Sequence, residues 1–192
     1  MTHRWWRGLR HTLAPLAFWA ASAHAEPVVE SLGPGIVRHW PDAQAAAQAP
    51  PSIALEHPRA AIGPAHTDLR VRATFTMEQG GRVVHVATPR GTSLYGTGEV
   101  GGRLERAGTR IVCWNTDAYG YDSHTPSLYQ SHPWVLAVRA DGSSFGVLAD
   151  TPGRVVVDLS NGITFRAQGA PFPVIVIERP DPRGVVEALA SL

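Results

Sequence analysis

Residues Leu94–Asp150 read LYGTGEVGGRLERAGTRIVCWNTDAYGYDSHTPSLYQSHPWVLAVRADGSSFGVLAD. The stretch holds most of the aromatic residues that follow the N-terminal leader, and it has no low-complexity tract. It divides into a short strand, a Gly-rich turn (Gly96, Gly98, Gly101, Gly102), a strand over Thr109–Trp114, a long polar loop, and two further strands. The loop, Asn115–Ser131, carries Asn115, Asp117, Tyr119, Tyr121, Asp122, His124, Tyr129 and Gln130. Carboxylates and amides can bond vicinal hydroxyls, and flat rings stack on the apolar faces of pyranoses. Binding residues concentrate on loops held by a rigid scaffold, so this composition suits a sugar site. It also suits a surface loop whose Asn, Asp, Gly and Ser only make turns.

Outward from this stretch the chain alternates between short apolar runs and turn signals. Leu69, Val71, Ala73, Phe75 and Met77 alternate with Arg70, Arg72, Thr74, Thr76 and Glu78, the period of a half-buried strand. Gln79-Gly80-Gly81 turns it back into Arg82–Thr88, giving a hairpin. On the other side lie Trp134–Arg139, Ser144–Ala149, Arg154–Leu159, Ile163–Ala167 and Val174–Ile177, separated by Asp141-Gly142, Thr151-Pro152-Gly153, Asn161-Gly162 and Gly169-Ala170-Pro171. Strands at this regular spacing predict an all-β antiparallel sandwich or barrel. Glu26–Trp40 adds one or two strands broken by Gly33-Pro34-Gly35, and the Ala/Gln/Pro-rich Pro41–Pro51 is an exposed connection with room for a fragment of helix. Asp181-Pro182-Arg183-Gly184 opens a short C-terminal helix over Val185–Leu192. Only Glu187 is charged there, so the pattern predicts burial between two domains, and its run to the last residue suggests an interrupted connection.

The 192 residues are 44% hydrophobic and 17% charged, enough for one globular domain. Arg4, Arg7 and Arg10 precede an apolar run, Leu13–Ala23, and Ala23-His24-Ala25 places small residues before Glu26. That pattern assigns residues 1–25 to a secretory signal peptide, with an uncleaved anchor as the alternative, and 26–192 to one domain. The destination is periplasmic or secreted, with no membrane segment after cleavage. All 17 basic residues are Arg; the leader takes three and none of the 16 acids, leaving a formal charge of −2. A near-neutral chain without a basic run predicts no nucleic-acid partner.

Several chemistries are disfavoured. Gly96, Gly98 and Gly101 match the spacing G-x-G-x-x-G, but no βαβ unit follows. No cofactor or metal is expected: His85 lies in a strand without a second ligand at a recognisable spacing, and HExxH, CxxC and P-loop patterns are missing. Cys113, alone and flanked by Ile111-Val112 and Trp114, predicts a buried inert thiol. Glu99, Asp117 and Asp122 are the nearest to an acid/base pair, but nothing in the sequence sets the ~5–10 Å separation that glycoside hydrolysis needs.

Tyr95-Gly96-Thr97-Gly98-Glu99-Val100, Trp114-Asn115-Thr116-Asp117-Ala118, Gly120-Tyr121, Leu128–Trp134 (LYQSHPW), Gly146–Asp150 (GVLAD) and Val157-Asp158-Leu159 resemble, in order and spacing, the N-terminal β-sandwich domain of glycoside hydrolase family 31 α-glucosidases. The likeness covers Tyr95–Leu192 well and residues 26–90 weakly. It implies a galactose-mutarotase-like sandwich placed before a catalytic (β/α)8 barrel of about 250 residues, which would carry both catalytic aspartates. Residues 26–192 would then be inactive alone, with no catalytic residue of their own, and the partners would be that barrel and an α-glucan or oligosaccharide. The resemblance assigns Asp117 to sugar binding over the barrel mouth, with Asn115, Tyr119, Tyr121 and Tyr129 as weaker substrate-binding candidates. It assigns Glu99 to orienting the loop. Glu178-Arg179-Pro180 departs from the Gly-Pro of the family. Two other readings remain: a stand-alone carbohydrate-binding module, and an aldose-epimerase-like enzyme, for which no matching His and Glu pair is found.

Overall fold

The computed structural model describes residues 27–48, 51–55 and 69–192; the leader assigned to 1–25 lies outside them. A six-stranded sheet has the order β1 (Val28–Gly33), β2 (Ile36–Trp40), β11 (Val174–Arg179), β8 (Ser144–Ala149), β7 (Ser131–Val138), β5 (Ser93–Gly98). A five-stranded sheet has the order β3 (Ala73–Glu78), β4 (Gly81–Val86), β10 (Ile163–Ala167), β9 (Val155–Asp158), β6 (Arg110–Cys113). Neighbouring strands pair antiparallel throughout. Two short helices, α1 (Ala43–Ala47) and α2 (Pro182–Ala190), complete the described residues.

The inward residues of both sheets build one core, including Val37, Val84, Val86, Ile111, Phe145, Val147, Val157, Phe165 and Val176. Each such side chain contributes roughly 1.5–3 kcal/mol when it leaves water. The predicted turns occupy their places for local reasons. Gln79 (φ 49°) and Gly80 (φ 78°) form the two-residue loop between the paired Glu78 and Gly81. Two positive φ values in such a loop match the right-handed twist of the flanking strands. In the β7–β8 connection, Asp141 Oδ1 accepts the Ser143 N–H, and Gly142 (φ 84°) takes the left-handed position.

The structure shifts three boundaries. The alternation from Leu69 becomes a strand only at Ala73, although Val71 is buried. Met77 is 56% exposed because β3 is a sheet edge. β7 begins at Ser131, before Trp134, and passes through Pro133 where its pairing with β5 is irregular; a residue without an N–H is tolerated where the ladder is already broken.

The third shift corrects the reading of the C-terminal helix. It starts at Pro182, with Asp181 Oδ1 accepting the Gly184 N–H, and ends at Ala190 with Ser191 as its cap. Pro at the first helical position after an Asp cap is a strong start signal. Val185 and Ala188 are buried, and Leu189 and Leu192 pack against the outer face of the six-stranded sheet with Leu32, Ile36, Leu148, Ile175 and Ile177. Val186 is 49% exposed. The apolar stripe is covered by the domain's own sheet, so the helix does not need a second domain to bury it. This cover explains why all six residues of β8 are buried, on both faces.

Candidate functional site

The loop between β6 and β7 rises from one end of the sandwich and is pinned at both ends. The Thr116 N–H donates to the Leu128 carbonyl (2.8 Å), and the Ser131 N–H donates to Asn115 Oδ1 (2.9 Å). Ser127 and Leu128 are buried, and the Ser127 hydroxyl donates to the Trp114 carbonyl. Between these anchors the Asp122 carboxylate closes its own turn, accepting the His124 N–H (2.8 Å) and the Thr125 hydroxyl (3.2 Å). The His124 N–H, followed by the Thr125 hydroxyl, holds the Asp122 carboxyl below its ordinary pKa. Asp122 is thus engaged in shaping the loop.

The Gly-rich turn is the loop's second support. Gly96 (φ 103°), Thr97 (φ 71°) and Gly98 (φ 84°) form a bulge at the end of β5. A β-branched residue at positive φ is strained by about 1–3 kcal/mol, and Thr97 is held there, buried, between two glycines. A Cβ on Gly98 would stand 2.5 Å from the Gln130 carbonyl, and one on Gly101 would stand 2.2 Å from the Asp122 carbonyl. The glycines that mimic a dinucleotide spacing therefore serve close backbone approach to the loop. Arg106, 8% exposed, fixes the turn from inside: its guanidinium donates to the Gly101, Arg103 and Val100 carbonyls. The sequence offered no periodic signal for Arg106; the only cue was a cation beside a carbonyl-rich glycine turn.

The five predicted site residues sort into two kinds. Asp117 is exposed, and among the described residues its carboxylate has no hydrogen-bond or ionic partner. Tyr119 (91% exposed) and Tyr121 (59%) stand in water. Asn115 and Tyr129 are partly committed: Asn115 Oδ1 holds Ser131, and the Tyr129 hydroxyl donates to the Ala118 carbonyl (3.0 Å). Glu99 touches the loop through its main chain, its N–H donating to the Gln130 carbonyl (2.7 Å), while its side chain is exposed. The orienting role assigned to Glu99 thus belongs to its backbone. Cys113 is buried, and burial pushes its thiol up to about 12, which leaves no thiolate at neutral pH.

At the root of the loop a cleft of about 380 Å³ opens between Trp114–Asn115, Ser131, Pro133 and the turn Thr151–Gly153. Ile53 also borders it, held where the Asp150 carboxylate accepts the Ile53 N–H (2.8 Å). Among the described residues no group of three or more His, Cys, Asp or Glu is arranged to hold a metal ion.

The two packed antiparallel sheets place the domain in the galactose-mutarotase-like class. The family profile described as "Glycosyl hydrolase 31 N-terminal galactose mutarotase-like domain" matches residues 29–158, and the chain belongs to that family. Alpha-glucosidase 2 of Bacillus thermoamyloliquefaciens is 34% identical over 103 residues, which are 52% of this chain and 13% of that protein. Lysosomal alpha-glucosidase of Rattus norvegicus is 37% identical over 81 residues, 41% of this chain and 8% of that one. The crystal structure of a family 31 alpha-glucosidase from Bacteroides thetaiotaomicron shares 43% identity over 54% of this chain and 18% of its own, with a TM-score of 0.50. A Flavobacterium johnsoniae family 31 dextranase complexed with glucose covers 89% of this chain and 26% of its own, with a TM-score of 0.72 at 16% identity; that likeness shows the fold. The chain thus spans roughly a tenth to a quarter of the length of these relatives.

Proposed function

We propose that this chain is the N-terminal domain of an exported α-glucosidase acting on α-glucosidic bonds of glucans or oligosaccharides. In this reading the loop Asn115–Gln130 supplies substrate contacts to a catalytic barrel C-terminal to the domain, and Asp117 is the principal contact. The observation that carries it is the contrast between Asp117 and Asp122. One carboxylate is consumed by its own turn, while the other is presented unpartnered on a loop pinned at both ends. Such a carboxylate is preorganised to accept hydroxyl hydrogen bonds at little reorganisation cost.

The test grafts residues 27–192 in place of the matching domain of the Bacillus thermoamyloliquefaciens alpha-glucosidase 2. Asp117→Ala in the graft is expected to lower kcat/KM about tenfold or more, since a hydrogen bond to a charged group is worth roughly 1.5–3 kcal/mol. An unchanged kcat/KM in a folded graft removes Asp117 from the site. The chain by itself is expected not to turn over an aryl α-glucoside.

The packing of α2 favours a second reading, a stand-alone carbohydrate-binding module. Its apolar stripe is buried against the domain's own sheet. Saturable glucan binding by a monomeric chain, with a graft that stays inactive, supports the module.

A further inference from the structure

The cleft beneath the loop has chemistry of its own. Among the described residues no charged side chain lines it. Trp114 is 54% exposed. It follows Cys113, whose side chain enters the core, so strand alternation turns the indole outward. The hydrogen-bonding groups around it are only partly used. Asn115 commits its Oδ1 to Ser131 and leaves its amide N–H groups available. The Thr151 hydroxyl accepts the Gly153 N–H and keeps its own hydrogen to donate. The Ser131 hydroxyl and the Trp114 indole N–H have no partner among the described residues. At about 380 Å³ the cleft lies within the range of small-molecule pockets, ~300–1,000 Å³, in which an apolar wall and a few placed polar groups are the usual design.

We infer that this cleft is a binding subsite for one uncharged hexopyranose unit of a glucan, with Trp114 as the stacking platform and Asn115, Ser131 and Thr151 as hydroxyl partners. Stacking follows from an exposed ring bordering a concave surface, because pyranoses have apolar C–H faces that fit a flat π-system. The described lining carries no charge, which favours a neutral ligand over an anionic or cationic one. Asp150 is a positioning residue: by holding the Ile53 N–H it sets the segment that borders the cleft. The choice of a glucan unit rests on the proposed function; the subsite itself rests on the cleft.

The experiment titrates maltotriose into the purified chain. It follows the Trp114 indole resonance and tryptophan fluorescence, with circular dichroism as the check on folding. Saturable binding that Trp114→Ala weakens about tenfold, equal to about 1.4 kcal/mol, is expected, with Trp114→Phe recovering most of it. The Ser131 hydroxyl makes no hydrogen bond among the described residues, so Ser131→Ala tests the cleft without depending on how Trp114 variants fold. It is expected to weaken binding about threefold. Met77→Ala, on the edge strand β3 at the far side of its sheet from β6, should leave this binding unchanged. Added salt should also have no effect, since no charge is engaged. Binding that ignores both Trp114→Ala and Ser131→Ala, or no saturable binding to the wild type, overturns the subsite without touching the Asp117 graft result. A steep salt dependence overturns the neutral-ligand assignment.

Discussion

β8 and the loop Asn115–Gln130 show two ways of fixing a backbone. All six residues of β8 are buried, and the strand is held by neighbours on both faces. In the loop only Ser127 and Leu128 are buried, and order comes from individual hydrogen bonds and from glycines that let two backbones meet. Burial stabilises through many small contacts, so it tolerates the loss of any one hydrogen bond. A loop held by a few bonds keeps its side chains free for a ligand, but each anchor matters more.

The largest effect is expected where packing is densest. Phe145 on β8 is fully buried in the inter-sheet core. Phe145→Ala should lower unfolding free energy by about 3–5 kcal/mol in urea titrations, while variants of the exposed loop should leave the midpoint in place. A destabilisation below about 1 kcal/mol would erase the contrast.

Acid should strike the same core. His39 on β2 is 2% exposed, and its Nε2 has no hydrogen-bond partner among the described residues. Burial, aided by the Arg72 charge, pushes its pKa down to about 4. The unfolded chain, with an ordinary imidazole pKa near 6.5, therefore binds more protons than the native one between those values. Stability is complete above about pH 6.5 and declines toward pH 4, by about 3 kcal/mol in total. His39→Leu should flatten that slope; an identical pH profile in the variant would show that other groups cause it.

A smaller effect sharpens the comparison from the loop side. Gly98→Ala places a methyl against the Gln130 carbonyl at φ 84°, with an expected cost of about 1–3 kcal/mol. The loss should be accompanied by faster amide exchange at Glu99 and Thr116, whose N–H groups anchor the loop, and not at β8. Smallest of all, Tyr119→Ala removes a side chain that is 91% exposed and should move the midpoint by less than about 0.5 kcal/mol. A larger shift would mean that the loop tip is packed.

The sheets were legible because alternation, turn residues and spacing all pointed the same way: Gln79-Gly80, Asp141-Gly142 and Asn161-Gly162 each sit at a predicted reversal. The five loop residues were legible as residue types. Their states were not, because whether Asn115 or Tyr129 has its polar atom occupied depends on Ser131 and Ala118 arriving at bonding distance. Trp114 was partly visible. In Ile111-Val112-Cys113-Trp114 the period of two alone turns the indole outward; its apolar neighbours disguised that. The helix was misread for the opposite reason. Its composition is apolar, but only the position of the six-stranded sheet beneath it shows which side is already covered.

The strand order of that sheet has a kinetic consequence. The hairpin β1–β2 joins the sheet only through β11, with Ile36 opposite Ile177. These partners are about 140 positions apart in sequence, so loop closure must be met before the pairing returns any energy. Until β11 arrives, β2 offers an unpaired edge and the apolar residues Ile36, Val37 and Trp40 to any strand nearby. Long-range pairing of this kind slows folding, and the contact that secures β1–β2 to the sheet has to wait for β11.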